Sequence, residues 1–388
     1  MEQVESVDVL IVGSGPAGIS TALHLVKSDP GWAGRITVID KATHPREKLC
    51  GGGITHMGQN VLSGLGLTIG VTYTPVRKAK IVFQDLSYTF HGNPVFVVVR
   101  RDEFDHWLVK EAEKLGVTVR QGEGLTGIEV AEDHVEATTS KSVIHAQAVV
   151  AADGSKSFVR RKLKWEDESR VARLLEILTP EDGTSAEFRE STAVFEFGGI
   201  VNGLQGYYWD FPSLVNGKAV MNRGVFDSRI NSNRPKVDLV DKLSGFLSER
   251  DRDLKDYKLK GHPIRLFDKN GRFSVPRVLL AGDAAGADPF VGEGISFALS
   301  YGQVAAAAIS SALSEHNFSF SDYRERILEH SILKQLPVRV RLARLGYGIK
   351  SPALHRLGWW GARFLMRRSN WADPEYNPVI PPELAYET

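Results

Sequence analysis

The feature that most constrains the fold is a strand, a glycine turn, a helix and a second strand at the start of the chain. Residues 7–12 (VDVLIV) form an apolar run typical of a buried parallel strand. The run ends in a glycine turn at 13–18 (GSGPAG), a helical segment follows, and residues 35–39 (RITVI) give the second strand, which Asp40 closes. This order predicts a right-handed crossover and a doubly wound α/β sheet.

The glycine turn predicts a site for nucleotide phosphates. Gly13 permits the tight turn, Gly15 lets the backbone approach a pyrophosphate, and Gly18 lets the helix pack closely on the strand. The helix N-terminus offers free N–H groups to the phosphates, and we expect Asp40 to accept hydrogen bonds from a ribose. Residues 64–70 (GLGLTIG) have a similar spacing but no preceding strand, so we interpret them as a loop.

Further segments complete this arrangement and add a second sheet. Residues 102–115 are amphipathic and predict a helix, and residues 278–281 predict another buried strand. Alternating stretches within 72–99 and 166–268 indicate the second sheet. Further elements are predicted as strands at 117–120, 135–139 and 148–152, helices at 303–330 and 331–368, and an irregular Pro-rich tail after Asn370.

Composition excludes several classes of protein. The chain has 388 residues, 42% of them hydrophobic and 24% charged, which is typical of a globular protein of two or three lobes. A net charge of +1 gives no global field to attract nucleic acid. The single cysteine, Cys50, excludes an intrachain disulfide and a cysteine-rich metal site, and we predict no metal centre. The acidic N-terminus is not typical of a secretory signal, and no apolar run is long enough to span a membrane, so we expect a cytoplasmic protein.

Three later motifs favour FAD over NAD as the nucleotide. Arg101 begins the amphipathic helix, an Asp-Gly pair at 153–154 follows an apolar strand, and Asp283 lies in a Gly-Asp turn after another strand. Asp283 is suited to accept a hydrogen bond from a ribityl hydroxyl. The helix that follows residues 292–295 (GEGI) can stabilise negative charge on a reduced flavin ring.

These motifs, in this order, resemble those of the FAD-dependent aromatic hydroxylase superfamily, which includes p-hydroxybenzoate hydroxylase. Residues 45–53 (PREKLCGGG) resemble the cysteine–glycine loop of the geranylgeranyl reductase family within it, and residues 207–212 (YYWDFP) resemble that family's Y-x-W-x-F-P motif. The resemblance covers about residues 7–310. Ser213 stands where the family usually has Lys, and residues 222–224 (NRG) stand where it usually has G-x-G, which bears on the substrate more than on the cofactor.

The resemblance implies a Rossmann-like, doubly wound FAD domain, an antiparallel β-sheet substrate domain and a helical C-terminus, α+β overall. The expected segments are 1–71, 100–165 and 269–330 for the FAD domain, 72–99 and 166–268 for the substrate domain, and 331–388 for the helical region and tail.

The same resemblance, together with the glycine turn, assigns a set of FAD contacts. The expected contacts are Gly13, Gly15, Pro16, Ala17, Gly18, Asp40, Lys41, Cys50, Gly51, Gly53, Arg101, Leu125, Asp283, Gly294 and Ile295.

Cys50 and Glu293 are the candidate catalytic residues. We expect Cys50 beside the isoalloxazine, in proton delivery or in positioning, because the adjoining glycines let the backbone pass close to the ring. Glu293 stands where this loop often has glycine and is a second candidate proton donor. His56 lies next to the same loops, and we expect it on the solvated surface.

Tyr207, Trp209 and Phe211 alternate along the sequence, so a strand places them on one face. Such a stripe forms either a packing face of a sheet or a wall of a substrate pocket, and the family motif favours the wall.

The resemblance implies hydride transfer from N5 of reduced FAD to a carbon–carbon double bond of a prenyl or lipid substrate, with a pocket acid protonating the other carbon. The alternative is a flavin monooxygenase acting on an aromatic or amino-acid-derived substrate; a halogenase is less favoured because its W-x-W-x-I-P signature is absent. A non-enzymatic flavoprotein has no direct support in the sequence. Only one dinucleotide turn is present, so NAD(P)H (NADPH or NADH) binds transiently or reduced ferredoxin supplies the electrons.

Residues 334–368 combine basic and aromatic side chains at helical spacing. Such a segment either contacts an anionic membrane peripherally or forms a solvated face whose aromatic residues pack on the protein. The side chains concerned are Lys334, Arg339, Arg341, Arg344, Lys350, Arg356, Arg363, Arg367 and Arg368, with Trp359, Trp360, Phe364 and Leu365.

Overall fold

A computed structural model describes residues 4–165, 170–181 and 185–366 of the chain. The α-helices are α1 Pro16–Ser28, α2 His56–Gly64, α3 Arg101–Lys114, α4 Phe158–Lys162, α5 Ala186–Arg189, α6 Leu239–Ser248, α7 Ile295–Glu315, α8 Tyr323–Glu329, α9 Leu336–Gly346 and α10 Pro352–Met366. The strands are β1 Val4–Val12, β2 Ile36–Asp40, β3 Gly53–Thr55, β4 Tyr73–Phe83, β5 Leu86–Val99, β6 Thr118–Gln121, β7 Leu125–Val130, β8 Val135–Thr139, β9 Val143–Ala151, β10 Val171–Pro180, β11 Thr192–Glu196, β12 Gly206–Val215, β13 Lys218–Asp227, β14 Lys260–Arg265, β15 Ser274–Val275 and β16 Val278–Leu280.

The first sheet has the predicted doubly wound core. Its strand order is β15-β16-β9-β1-β2-β6, in which β16, β9, β1, β2 and β6 run parallel, while β8 pairs with β9 and β7 with β8. Val9, Leu10 and Ile11 of β1 are fully buried, as a central parallel strand requires. The carboxyl ends of these parallel strands meet at one edge, where α/β proteins bind their ligands.

Helix α7 packs against α1 beside this sheet, and Ser20 Oγ donates to the Leu299 carbonyl at 2.7 Å. In the described part of the chain, α7 is the one helix long and apolar enough to cross a membrane. Its most apolar window is 78% buried inside the fold, which is typical of a core helix.

The second sheet is the predicted large β-sheet, ordered β14-β10-β13-β12-β11-β4-β5-β3. Its pairs are antiparallel apart from β11 with β4, which is parallel. Pro212 ends the Y-x-W-x-F-P motif, but strand β12 continues beyond it to Val215. The proline is tolerated because β11 pairs only with residues 208–210, so β12 has a single neighbour at Pro212.

The C-terminal helices are more interrupted than the sequence predicts. The predicted helix 303–330 breaks after Glu315, because His316 adopts a left-handed conformation with φ 52° and ends α7. A second break separates α9 from α10, which begins with Pro352 at its first position. Arg367, Arg368 and the tail after Asn370 lie outside the described residues.

The close approach of α1 to β1 depends on Gly18. A Cβ on Gly18 would lie 1.9 Å from the Gly13 carbonyl oxygen, a backbone atom that cannot rotate away. We predict that Gly18→Ala lowers the free energy of unfolding by about 1–3 kcal/mol, as overpacking does, and weakens FAD uptake. Urea unfolding and flavin titration measure both. Gly34→Ala is the control, because nothing lies within 4 Å of its added Cβ; equal effects of the two variants would contradict the prediction.

Candidate active site

A cavity of about 1470 Å³ lies where the carboxyl ends of the parallel strands face the second sheet. Every sequence-predicted contact except Gly18 lines it, and Gly18 instead packs against the Gly13 backbone. The lining set includes Gly13, Gly15, Pro16, Ala17, Asp40, Lys41, Cys50, Gly51, Gly53, Arg101, Leu125, Tyr207, Trp209, Phe211, Asp283, Glu293, Gly294 and Ile295.

The N-terminus of α1 faces the cavity with its backbone donors unclaimed by a side-chain cap. Gly15 is the N-cap residue, forms no side-chain capping bond, and no acidic residue follows in the first turn. The nearest atom to a Cβ built on Gly15 is Arg46 Nη2, at 3.6 Å. Backbone N–H groups and a guanidinium therefore line one end of the cavity. Such an end can bind an anion, as a pyrophosphate requires.

Asp40 lies beside this turn and is held as a carboxylate. Its Oδ2 accepts hydrogen bonds from Ser14 N and Ser14 Oγ at 2.9 and 2.8 Å, and its Oδ1 accepts from Ala42 N at 2.9 Å. Burial alone would raise the pKa of Asp40, but these hydrogen bonds hold it below its usual value. Two carboxylate oxygens provide about four acceptor positions, so capacity for a ribose hydroxyl remains.

A buried carboxylate organises the arginines near Cys50. Asp105 is fully buried and accepts two hydrogen bonds from Arg101, at 2.8 and 2.9 Å, while Arg46 lies 3.4 Å from it. Arg46 was not among the predicted contacts, although its place in the cysteine–glycine loop and its guanidinium were visible in the sequence.

A second helix N-terminus faces the other part of the cavity. Gly294 precedes α7, forms no side-chain cap, and the first turn of α7 carries no acidic residue. Asp283 lies on the same lining. Two uncapped helix N-termini, with Asp40 and Asp283 as acceptors, fit a dinucleotide with a phosphate-bearing end and a ring that takes negative charge. The residues present therefore fit FAD.

Lys48 and His262 form a polar pair on the cavity wall that sequence reasoning missed. Lys48 Nζ lies 2.6 Å from His262 Nε2. Burial and the nearby Lys48 charge lower the pKa of His262 to about 3, so the ring is neutral and accepts the hydrogen bond. Burial also lowers the pKa of Lys48, while Asp283 acts in the opposite direction. Nothing in the sequence connects residues so far apart.

The Cys50 loop is fixed by a residue at which the sequence departs from the family pattern. Asn222 Nδ2 donates to the Cys50 carbonyl at 3.1 Å, and Asn222 Oδ1 accepts from Trp209 Nε1 at 2.9 Å. Gly52 N–H lies 3.4 Å from Cys50 Sγ. Asn222 thus ties the aromatic strand β12 to the loop that carries the thiol.

An aromatic wall covers the side of the cavity formed by the second sheet. Tyr207, Trp209 and Phe211 all line the cavity, and Phe195 and Phe96 extend the surface. The ring of Phe211 lies 5.0 Å from that of Phe195 and 5.6 Å from that of Phe96, centroid to centroid. The Tyr207 hydroxyl donates to the Val291 carbonyl at 2.6 Å, and burial raises the pKa of Tyr207, so its proton stays in place.

Glu293 lies at the cavity in an ion pair with a residue of α9. Its carboxylate is 2.9 Å from Arg339, which also contacts Asp288 at 2.8 Å, and Thr55 Oγ1 donates to Glu293 at 2.5 Å. Through this pair Glu293 positions Arg339. The catalytic role of Glu293 stays a prediction. His56 is buried at the start of α2 and lines the cavity, so its expected place on the surface is wrong.

Glu176 lies behind the Cys50 loop and gave no sequence signal. Burial raises the pKa of this β10 carboxyl to about 7, and the Arg100 charge opposes the rise. Its Oε2 is buried without a hydrogen-bond partner. A carboxyl so placed binds a proton near neutral pH.

Comparison with known proteins identifies relatives along most of the chain. Residues 6–202 match the family model described as FAD binding domain. The chain is 26% identical over 364 residues to digeranylgeranylglycerophospholipid reductase 3 of Methanosphaera stadtmanae, covering 87% of each. It is 28% identical over 337 residues to menaquinone reductase of Mycobacterium tuberculosis, covering 79% of this chain and 77% of the relative.

A solved structure shares the fold. The geranylgeranyl bacteriochlorophyll reductase-like protein of Thermoplasma acidophilum superposes with a TM-score of 0.74 at 23% identity, over 92% of this chain and 91% of that one.

The raised pKa of Glu176 predicts a pH-dependent stability. Between its ordinary pKa of 4.5 and about 7 the folded state holds a proton that the unfolded chain releases, so this residue's contribution to stability falls as pH rises through that window. We predict that the change in unfolding free energy across this pH window is smaller in Glu176→Gln than in wild type, by up to about 3 kcal/mol. Urea unfolding of the flavin-loaded protein from pH 5 to 8 measures it, with exposed Glu129→Gln as control. Parallel pH profiles for wild type and Glu176→Gln would contradict it.

Proposed function

The chain belongs to the FAD binding domain family and is an FAD-dependent oxidoreductase, and we propose that it reduces carbon–carbon double bonds of a prenyl-bearing lipid. The observation that carries the proposal is the two-sided cavity. Its first-sheet side presents uncapped helix N-termini and acceptors that suit FAD, and its second-sheet side presents an aromatic wall. Relatives named as digeranylgeranylglycerophospholipid and menaquinone reductases support a hydrophobic substrate.

FAD, when bound, supplies two-electron hydride chemistry to such a bond. The chain's part is to hold the double bond against the ring and to exclude water, for which the aromatic wall of Tyr207, Trp209 and Phe211 is suited. Asp105, which pairs with Arg46, and Asn222, which donates to the Cys50 carbonyl, hold the Cys50 loop from two sides.

A proton must reach the second carbon of the reduced bond, and Cys50 is the group best placed to carry it. Tyr207 is committed to the Val291 carbonyl, and the Glu293 carboxylate is paired with Arg339. The Cys50 thiol lines the cavity, and its sulfur lies 3.4 Å from Gly52 N. We therefore assign proton delivery to Cys50 Sγ and the positioning of Arg339 to Glu293.

The proposal is tested with FAD-loaded protein and a glycerophospholipid that carries geranylgeranyl chains, under anaerobic conditions. We expect mass spectrometry to show hydrogens added pairwise to the chains, with dithionite, NADPH, NADH and reduced ferredoxin compared as donors. Cys50→Ala is expected to keep its flavin spectrum and lose at least about 100-fold in turnover, the usual effect of removing a general acid. The flavin spectrum is the control for folding.

Two outcomes would contradict the proposal. The first is that no donor supports anaerobic reduction of the lipid, while an aromatic substrate is hydroxylated only when oxygen is present. The protein would then be a monooxygenase. The second is that Cys50→Ala turns over as fast as wild type. That result would contradict the assignment of Cys50 as proton donor, but not the proposal that the protein is a reductase.

We also propose that α9 and α10 contact a membrane beside the cavity mouth. Gln335, Arg339 and Leu342, from this end of the chain, line the cavity. Six of the eleven large apolar side chains that are exposed in the described residues lie on these two helices. They are Val338, Leu342, Leu345, Leu354, Leu357 and Trp360.

Basic side chains accompany this apolar surface, though Arg339, Arg356 and Trp359 have partners on the protein, Arg356 with Asp85 at 2.6 Å. Arg341 and Arg344 are exposed on α9, which suits an anionic headgroup layer. Arg339 is turned inward to Asp288 and Glu293, and Trp359 packs on Phe83 and Phe197 of the sheet side. Part of the segment therefore packs on the protein, and the membrane contact of the exposed part is the proposal.

The membrane proposal predicts the effect of charge on this surface. Leu345 and Leu357 are 71% and 63% exposed. We expect Leu345→Glu with Leu357→Glu to reduce co-flotation with phosphatidylglycerol-containing vesicles at least about tenfold, since each buried leucine contributes roughly 1.5–3 kcal/mol. Val240→Glu, at a 48% exposed position on α6, is the matched control. Flotation unchanged in the double variant would exclude this surface as the membrane contact.

A further inference from the structure

Two histidines and a glutamate form a compact cluster on the first sheet, away from the cavity lining. They are His134, Glu136 and His145, on and beside strands β8 and β9. Each offers one ligand atom, and the three atoms lie within 4.8 Å of one another. The site described above does not use them.

Strand pairing fixes the positions of these three residues. Glu136 and His145 are direct partners in the antiparallel β8–β9 ladder, so their side chains emerge side by side. His134 precedes Glu136 by two residues, which places it on the same face. A hydrogen bond from Ala131 N to the His134 carbonyl, 2.9 Å, closes the turn that leads into β8. The backbone thus holds the cluster together before any ligand arrives.

The distances suit a tetrahedral metal ion. His145 Nε2 lies 3.3 Å from Glu136 Oε2. With metal–ligand bonds of about 2.0–2.2 Å, two ligand atoms of tetrahedral zinc lie about 3.4 Å apart. The rings of His134 and His145 lie 4.2 Å apart, centroid to centroid, so His134 completes a three-residue face.

A neighbouring carboxylate orients one of the histidines. Asp133 Oδ1 lies 2.7 Å from His134 Nδ1 and accepts a hydrogen bond from it. This bond leaves Nε2 of His134 for a metal, and carboxylate-oriented histidines are the common arrangement around bound zinc.

The local charge also favours a cation. Three carboxylates, of Glu132, Asp133 and Glu136, lie in this short segment, and the Arg277 guanidinium faces it. Arg277 is occupied by the Glu132 and Gln147 carbonyls, at 2.9 Å each. One guanidinium against three carboxylates makes the surroundings of the cluster electronegative.

We propose that His134, Glu136 and His145 bind one divalent transition-metal ion, with zinc as the ion that this donor set suits, and with water in the fourth position. Along strand β9, the chain from His145 to the cavity-lining Ala152, the residue after the strand, spans about 23 Å at 3.3 Å per residue. The ion is therefore a clasp that ties β8 to β9, and it does not reach the flavin chemistry.

The test uses tag-free, FAD-loaded, full-length protein and zinc chloride in a non-chelating buffer. Isothermal titration calorimetry is expected to show one Zn²⁺ bound per chain, and zinc is expected to raise the thermal midpoint. His145→Ala and Glu136→Gln should each weaken binding at least about tenfold. His91→Ala, which removes an exposed histidine on β5, should bind zinc as wild type does. The flavin spectrum confirms that each variant is folded.

Three outcomes would overturn the proposal. The first is no saturable zinc binding to the wild type. The second is unchanged affinity in both His145→Ala and Glu136→Gln, which would place the bound ion elsewhere. The third is an equal loss in His91→Ala, which would mean non-specific binding to surface histidines.

Discussion

The structure depends on the close backbone approach at the carboxyl ends of β1 and β9. A Cβ on Gly13 would lie 2.4 Å from the Ala152 carbonyl oxygen, and Gly13 has φ +108°, so this position requires glycine twice over. Gly13 N–H also donates to the Ile39 carbonyl at 2.8 Å, which ties the turn to β2. Because this turn is fixed, the N-terminus of α1 faces the cavity, and the Asp40 carboxylate reaches Ser14.

The second constraint joins the two sheets. Asn222 bridges Trp209 and the Cys50 carbonyl through two side-chain hydrogen bonds. Strand β3, which follows the cysteine–glycine loop, pairs with β5 of the second sheet. The loop that carries the thiol is therefore held by the sheet that carries the aromatic wall, so the two sides of the cavity keep a fixed spacing. Strand β3 lies within the segment 1–71 that the sequence analysis assigns to the FAD domain, and it pairs with a strand of the second sheet.

What the sequence predicted was local, and what it missed was long-range. The doubly wound sheet followed from the strand–turn–helix pattern, because each glycine there has a steric reason within a few residues. Likewise, Tyr207, Trp209 and Phe211 share a face because strand alternation alone decides it. Two pairs, Lys48 with His262 and Glu293 with Arg339, form only through tertiary packing. Their spacing along the sequence therefore could not predict them. His56 was misplaced because helix α2 turns its first residue inward.

The ion pairs of Arg339 connect the cavity to its surroundings. Arg339 of α9 contacts both Glu293 and Asp288, and Asp288 also accepts from the backbone N–H groups of Phe290 and Val291. These ion pairs thus join the loop before α7 to helix α9, which lies beside the cavity mouth. The exposed leucines of α9 lie on that same helix. For the lipid substrate proposed here, the path from a bilayer to the aromatic wall would pass along α9, so the prenyl chain exchanges one apolar environment for another without crossing bulk water.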